Sequence, residues 1–254
     1  MSEKHYNIEY LQQTGNFLKK IKDHSYEPFS SLSEGKILDI GCGTGQDILN
    51  MAKQLSPEID FIGIDHDKGM IEKANSSKQL NNNILFIQGE VYQLDFEDNT
   101  VSGIRTERMI QHLKEPEKAM QEMHRVLKPG KPIVIIETDW QSLSFYTPYT
   151  PIATKIISYL TEKKVNNGYA AKSLTHYLGS CDFKNISLEI FPFIINSLEE
   201  ANQYLYIEVI IDEAKNHGYI THKEHELFMN ALREADRKNH FCCSINLVIS
   251  TSTK

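Results

Sequence analysis

The chain has 254 residues with 27 basic and 34 acidic side chains, a formal charge of −7, which argues against the overall basic footprint that neutralises nucleic-acid phosphates. Its length suits one large α/β domain, or a core carrying a smaller cap. No run of roughly 18 apolar residues marks a membrane span. The opening Met1-Ser2-Glu3-Lys4-His5-Tyr6 lacks the apolar stretch of a secretion signal, so a cytoplasmic location is expected. Cys42, Cys181, Cys242 and Cys243 are too few and too irregularly spaced for a disulfide framework or a zinc site, and are expected as reduced thiols.

Tyr6, Tyr10, Phe17, Leu18 and Ile21 recur at helical spacing and predict an N-terminal helix covering the body. A strand over 36–40 runs into Gly41-Cys42-Gly43-Thr44-Gly45, and Ile48, Leu49, Ala52 and Leu55 then repeat helically. The pattern continues with a strand over 59–64 ending at Asp65, a helix carrying Met70, Ile71 and Ala74, and strands over 84–88 and 101–106. A helix over 116–127 precedes a strand over 132–137. Strands alternating with helices imply a mostly parallel sheet covered on both faces. Beyond Trp140 the expected elements are helices over 152–164 and 173–180, a strand over 186–195, helices over 199–217 and 223–238, and a final strand over 241–250. The late helical pair, set between two strands, has the look of an inserted lid.

Gly41, Gly43 and Gly45 let the chain turn tightly and let a ligand approach bare backbone at the carboxyl end of the first strand. Asp39 stands just before this turn. Asp65 ends the second strand about 20 residues on, where an acidic side chain takes ribose hydroxyls. A turn for a nicotinamide dinucleotide would need its third glycine at position 46, which is Gln46. A carboxylate at Asp39 also suits an ammonium better than a pyrophosphate. The same residues carry a plainer reading as a turn, a helix cap and a partner for buried amides.

Ile37-Leu38-Asp39-Ile40-Gly41-Cys42-Gly43-Thr44-Gly45 resembles the first motif of class I S-adenosylmethionine-dependent methyltransferases. Gly63-Ile64-Asp65 with Met70, Gly89-Glu90-Val91, and Arg125-Val126-Leu127-Lys128-Pro129-Gly130 resemble later motifs of that family in the same order. The resemblance implies a Rossmann-like, seven-stranded, mostly parallel sheet whose last strand is antiparallel. It implies S-adenosylmethionine as cofactor and S-adenosylhomocysteine as product. The histidines late in the chain show no paired spacing with a carboxylate partner, except His222 and His225, which are expected on a solvated helix start, so no metal is expected. The resemblance places Gly41, Gly43 and Gly45 along the methionyl part, Asp65 on the ribose and Glu90 with Val91 on the adenine; Asp39, His66, Met70 and Gly89 are further cofactor-binding candidates. Thr106 would offer backbone to the ammonium. The chain departs from the pattern at Glu90, at Ser102, where an aspartate is customary, and at Lys131, where a second glycine is customary.

Methyl transfer is an in-line displacement on an activated sulfonium, so positioning and exclusion of water dominate and a base is needed only for some acceptors. Glu107-Arg108, Gln111-His112-Leu113 and Thr138-Asp139-Trp140 resemble segments of the ubiquinone-biosynthesis-like small-molecule methyltransferases, as does, more weakly, Asn167-Gly168-Tyr169. His112, Arg108 and Asp139 are the catalytic candidates, and Tyr10, Arg108 and Trp140 the substrate-binding ones. His112 suits a general base because imidazole titrates near neutrality, and equally suits packing within its own turn. Arg108 and Glu107 either orient a polar acceptor or pair with each other. Asp139-Trp140 is placed just after the fifth strand, as a donor-binding carboxylate and an aromatic wall.

The expected organisation is a single domain: residues 1–30 a helical cover, 31–140 the cofactor-binding core, and 141–254 the substrate side with a lid at about 198–238. The expected partner is a small-molecule acceptor methylated on O, N or C, a partly aromatic metabolite, with no nucleic acid and no membrane. A monomer or homodimer is expected. The alternatives are a non-catalytic S-adenosylmethionine-binding module and an NAD(P)-dependent oxidoreductase.

Overall fold

Alternation of side chains along each strand sends odd and even residues to opposite faces. Here both faces are apolar in the central strands. In strand β1 (Gly35–Ile40) Ile37 joins one core and Leu38 the other. In β5 (Pro132–Phe145) Val134 and Ile136 join the first, Ile133 and Ile135 the second. Such strands are stable only in a sheet covered on both sides. The computed structural model describes residues 18–78 and 82–254, so His5, Tyr6 and Tyr10, expected in the N-terminal cover, lie outside the described residues.

The sheet has seven strands in the order β3-β2-β1-β4-β5-β7-β6, the others being β2 (Ile59–Asp65), β3 (Ile84–Gln88), β4 (Gly103–Glu107), β6 (Lys184–Ile195) and β7 (Cys243–Thr253). β1 to β5 pair in parallel, and β7 runs antiparallel to both β5 and β6. The strand order reverses between β1 and β4. A crevice opens at the carboxyl ends of the strands at such a switch point.

One face is covered by α1 (Lys19–Tyr26), α2 (Gln46–Gln54) and α3 (Lys68–Ser77), which bury Ile21, Ile48, Met51 and Ile71 against Phe61 and Val134. The other is covered by α4 (Pro116–Val126) and α6 (Ala170–Ser180), through Met120, Met123 and Leu174. A third core has its own helices. These are α5 (Thr150–Tyr159), α7 (Leu198–Leu205), α8 (Ile207–Asn216) and α9 (His222–Arg237), packed on Leu143 of β5, Ile195 of β6 and Ile245 of β7. Among the described residues no helix is long and apolar enough to cross a membrane.

Two expectations are corrected. β5 does not stop near residue 137: after a register shift between Asp139 and Ser144 it continues to Phe145 against β7, so Asp139 and Trp140 lie within the strand. The polar run Gln141, Ser142 and Ser144 hides this extension from a hydrophobicity reading. The single helix expected over 199–217 is broken at Tyr206, whose φ of 56° is left-handed. Asn202 bridges the break, its side-chain oxygen accepting the Glu208 N–H at 2.9 Å.

Candidate active site

The glycine turn leaves β1 through three left-handed residues, Gly41, Gly43 and Gly45. A Cβ at Gly45, which caps α2, would lie 2.4 Å from the Phe86 ring, so both conformation and space require glycine there. The turn is tied to β2: the Gly41 and Cys42 amides donate to the Ile64 carbonyl at 2.8 and 3.0 Å. Gly43 N–H donates to Asp65 Oδ2 at 2.8 Å, and Asp67 N–H to Asp65 Oδ1 at 2.9 Å. Both carboxylate oxygens are thereby fixed, and each keeps acceptor capacity for a further donor. Asp67, not Asp65, caps α3, accepting from Gly69 and Met70 N–H.

Beside this turn lies a cavity of about 1140 Å³. Gly41, Gly43, Asp65, His66, Met70, Gly89, Glu90 and Val91 line it from the exits of β1 to β3. Arg108 and His112 line it from the β4 exit, Lys163 and Lys164 from the turn after α5, and Glu213 and His217 from α8 and its end. Sequence reasoning thus brought eight cofactor-side candidates, Arg108 and His112 to one wall. Asp39, Gly45, Thr106, Asp139 and Trp140 are not on that wall. Asp139 sits 3.9 Å from Lys172, and Trp140 packs on the third core with its indole N–H donating to Gln111 Oε1 at 2.7 Å.

Arg108 takes a left-handed φ of 52°, with its N–H on the Ile136 carbonyl at 2.7 Å. A non-glycine residue there carries about 1–3 kcal/mol of strain. The bend turns the chain off β4 so that Arg108 reaches the cavity with Nε 3.3 Å from Glu107 Oε1. The following turn, Ile110–His112, is held from below by Glu137, whose Oε1 accepts the Ile110 N–H at 2.6 Å. Burial pushes the Glu137 carboxyl up to about 8, opposed by the backbone N–H groups it accepts.

A buried ion cluster underlies the β1 and β4 exits. Arg105 is 0% exposed. Its guanidinium donates to Glu107 Oε2 at 2.6 Å and Asp39 Oδ1 at 3.2 Å, its Nε donates to the Ser25 hydroxyl at 2.9 Å, and it lies 3.6 Å from Asp47. Lys22 of α1 adds a second cation, 2.6 Å from Asp47 and 2.7 Å from Glu107. Three carboxylates thus face two cations. Burial pushes the Asp39 carboxyl up to about 7 against the pull of Arg105, whereas Glu107 and Asp47 are held below the usual range because Lys22 and Arg105 outweigh their burial. Asp39 is therefore spent on Arg105 rather than presented to a ligand. A charged residue inside a strand reads as solvent-facing, which is why the cluster was not legible beforehand.

Among the described residues no group of three or more His, Cys, Asp or Glu side chains is set to hold a metal ion. The donor set does fit S-adenosylmethionine: a fixed carboxylate for ribose hydroxyls, Met70 and the buried Val91 for an apolar ring, and a bare glycine turn for a close backbone approach.

Residues 31–176 match the family model described as a methyltransferase domain, more than half of the chain. With its parallel sheet and antiparallel β7, the protein belongs to the class I S-adenosylmethionine-dependent methyltransferase family. An uncharacterized 37.1 kDa protein in transposon TN4556 of Streptomyces fradiae is 28% identical over 84% of this chain and 62% of its own length. The demethylmenaquinone methyltransferase of Staphylococcus aureus is 31% identical over 44% of this chain and 46% of its own length. The matches thus span less than two thirds of these relatives. The fold is shared by the YcgJ protein of Bacillus subtilis, with a TM-score of 0.60 at 20% identity over 91% of this chain and 98% of that one. It is also shared by Haemonchus contortus phosphoethanolamine N-methyltransferase 2, with a TM-score of 0.59 at 16% identity over 92% of this chain and 53% of that one.

Proposed function

We propose that the protein transfers a methyl group from S-adenosylmethionine to an O, N or C atom of a small, partly aromatic metabolite. The observation that carries this reading is Asp65, fixed from two sides by the Gly43 and Asp67 amides at the wall of the cavity. Asp65 with His66 receives the ribose hydroxyls, Met70, Gly89, Glu90 and Val91 enclose the adenine, and Gly41 and Gly43 border the methionyl chain. Gly45 shapes the turn, Asp39 acts beneath it through Arg105, and Thr106 contributes backbone only. Residues 31–140 serve as the cofactor core and about 198–238 as a lid, through Glu213 and His217.

The cofactor supplies an activated methyl, so the chain's own task is to orient an acceptor and exclude water. Arg108, turned into the cavity by its left-handed backbone, orients the acceptor. His112 beside it accepts the proton of acceptors that must lose one. Trp140 supports that turn from β5 through its bond to Gln111, whereas Asp139 faces Lys172.

Calorimetric titration with S-adenosylmethionine and S-adenosylhomocysteine tests this. Micromolar binding, weakened at least tenfold in Asp65→Ala, about 1.4 kcal/mol, is expected. No heat with either ligand overturns the reading.

A further inference from the structure

The cavity is electrically divided. From the β2 and β3 exits its wall carries Asp65, Asp67 and Glu90, with His66 beside them. From the far side it carries Arg108, Lys114, Lys163 and Lys164 with the imidazoles of His112 and His217, and there the one carboxylate among the described lining residues that lies outside the ion cluster is Glu213. Glu107 also reaches the wall, where it pairs with Lys22 and Arg105 beneath and with Arg108 beside it, as Glu213 pairs with Lys164, and this side still carries more cations than carboxylates among the described lining residues. The cavity, about 1140 Å³, stands just above the roughly 300–1,000 Å³ range of ligand pockets, a size that suits a cofactor and a small acceptor together. Cations gathered in a concave wall concentrate anions there.

The lysines stand on an irregular element. α5 passes into a π-helical turn, Leu160–Lys164, closed by the Val165 N–H on the Leu160 carbonyl at 3.0 Å. Single π turns gather at functional sites because they re-aim side chains. Gly168 lies against this turn so closely that a Cβ would meet the Thr161 carbonyl oxygen at 2.3 Å and its Cα at 2.4 Å. The residues just before it hold the catalytic-side turn: Asn166 Nδ2 donates to the His112 carbonyl at 3.0 Å and Asn167 N–H to the Gln111 carbonyl at 2.9 Å. Segment 166–168 thus buckles the lysine turn to the His112 turn. On the lid side, Tyr159 and Lys164 both converge on Glu213.

We propose that the methyl acceptor carries an oxyanion group, a carboxylate or a phosphate monoester, received by Lys163 and Lys164, with Gly168 the residue that positions them. This rests on the methyl-transfer reading above. The far-side cations fix one end of the acceptor, and the nucleophilic atom then lies toward the glycine turn.

The test is calorimetric titration of the protein saturated with S-adenosylhomocysteine, using benzoate and phenyl phosphate as anionic probes and benzyl alcohol as the neutral one. One anion is expected to bind at least tenfold more tightly than benzyl alcohol, and the stronger of the two identifies the group. In the Lys163→Gln/Lys164→Gln variant, and in Gly168→Ala, the preference is expected to fall below threefold while S-adenosylhomocysteine affinity stays within twofold. The lysine variant alters no backbone contact and carries the test if Gly168→Ala does not fold. Equal binding of anions and benzyl alcohol, or a preference that survives in the lysine variant, overturns the proposal. Absence of S-adenosylhomocysteine binding in the first titration overturns the methyltransferase reading instead.

Discussion

Replacing Arg105 by Met removes the guanidinium from the buried cluster while keeping much of its length. The guanidinium meets Glu107 at 2.6 Å and Asp39 at 3.2 Å, and its side chain is 1% exposed, so no water replaces it. Removing one partner of a buried ion pair costs about 3–5 kcal/mol, because the remaining charge is left uncompensated. At about 2–4 °C per kcal/mol for a chain of this size, Tm should fall by about 6–20 °C. The penalty also carries a pH signature. Without Arg105 the carboxyls of Asp39, Asp47 and Glu107 titrate higher in the folded variant than in the folded native chain, so the folded variant binds more protons than the folded native chain and its deficit shrinks as pH falls. Urea unfolding followed by circular dichroism at pH 8, 6.5 and 5 should show the deficit shrinking with acidification. A deficit under about 1 kcal/mol at pH 8, or one equal at pH 5 and pH 8, would refute the view that Arg105 balances these carboxylates.

Glu137 gives a second pH test. Its folded carboxyl, raised by burial to about 8, binds a proton that the unfolded chain releases near its ordinary value, so its contribution to stability declines as pH rises through that window. Glu137→Gln should flatten the decline, with a gain over the native chain at pH 9 of about 5 kcal/mol at most, read from denaturant midpoints at pH 6 and pH 9. Gly45→Ala, with its left-handed φ of 77° and a Cβ 2.4 Å from Phe86, should cost at least about 2 kcal/mol and weaken S-adenosylhomocysteine at least tenfold. Thr221→Ala, which deletes the capping box of α9, should cost about 1 kcal/mol and leave cofactor affinity unchanged in the same titration.

The glycine-turn wall of the cavity, proposed for the cofactor, was legible because its requirements are local. A glycine turn after an apolar strand and an acidic residue at the next strand end are set by neighbours in sequence, and the chain shows both at Gly41–Gly45 and Asp65. The side proposed for the acceptor was not, because that wall is assembled from β4, the π turn and α8, and nothing in Lys163-Lys164 distinguishes it from a solvated helix end. Arg105 drew no reading for a related reason: its partners Ser25, Asp39 and Asp47 are distant in sequence, and only the packed sheet brings them together. The Asn167-Gly168-Tyr169 segment was noticed without a role, since what Gly168 avoids is a backbone seven residues earlier.

Trp140, the only tryptophan of the chain, sits where β5 leaves the two cores flanking the parallel sheet for the third core. Its ring is packed on that third core and its N–H is fixed on Gln111, next to His112. Tryptophan emission from this protein is therefore a single-site signal free of averaging over other indoles. A spectral shift on mixing with a ligand would report the seam between the two cores in real time, with no label added.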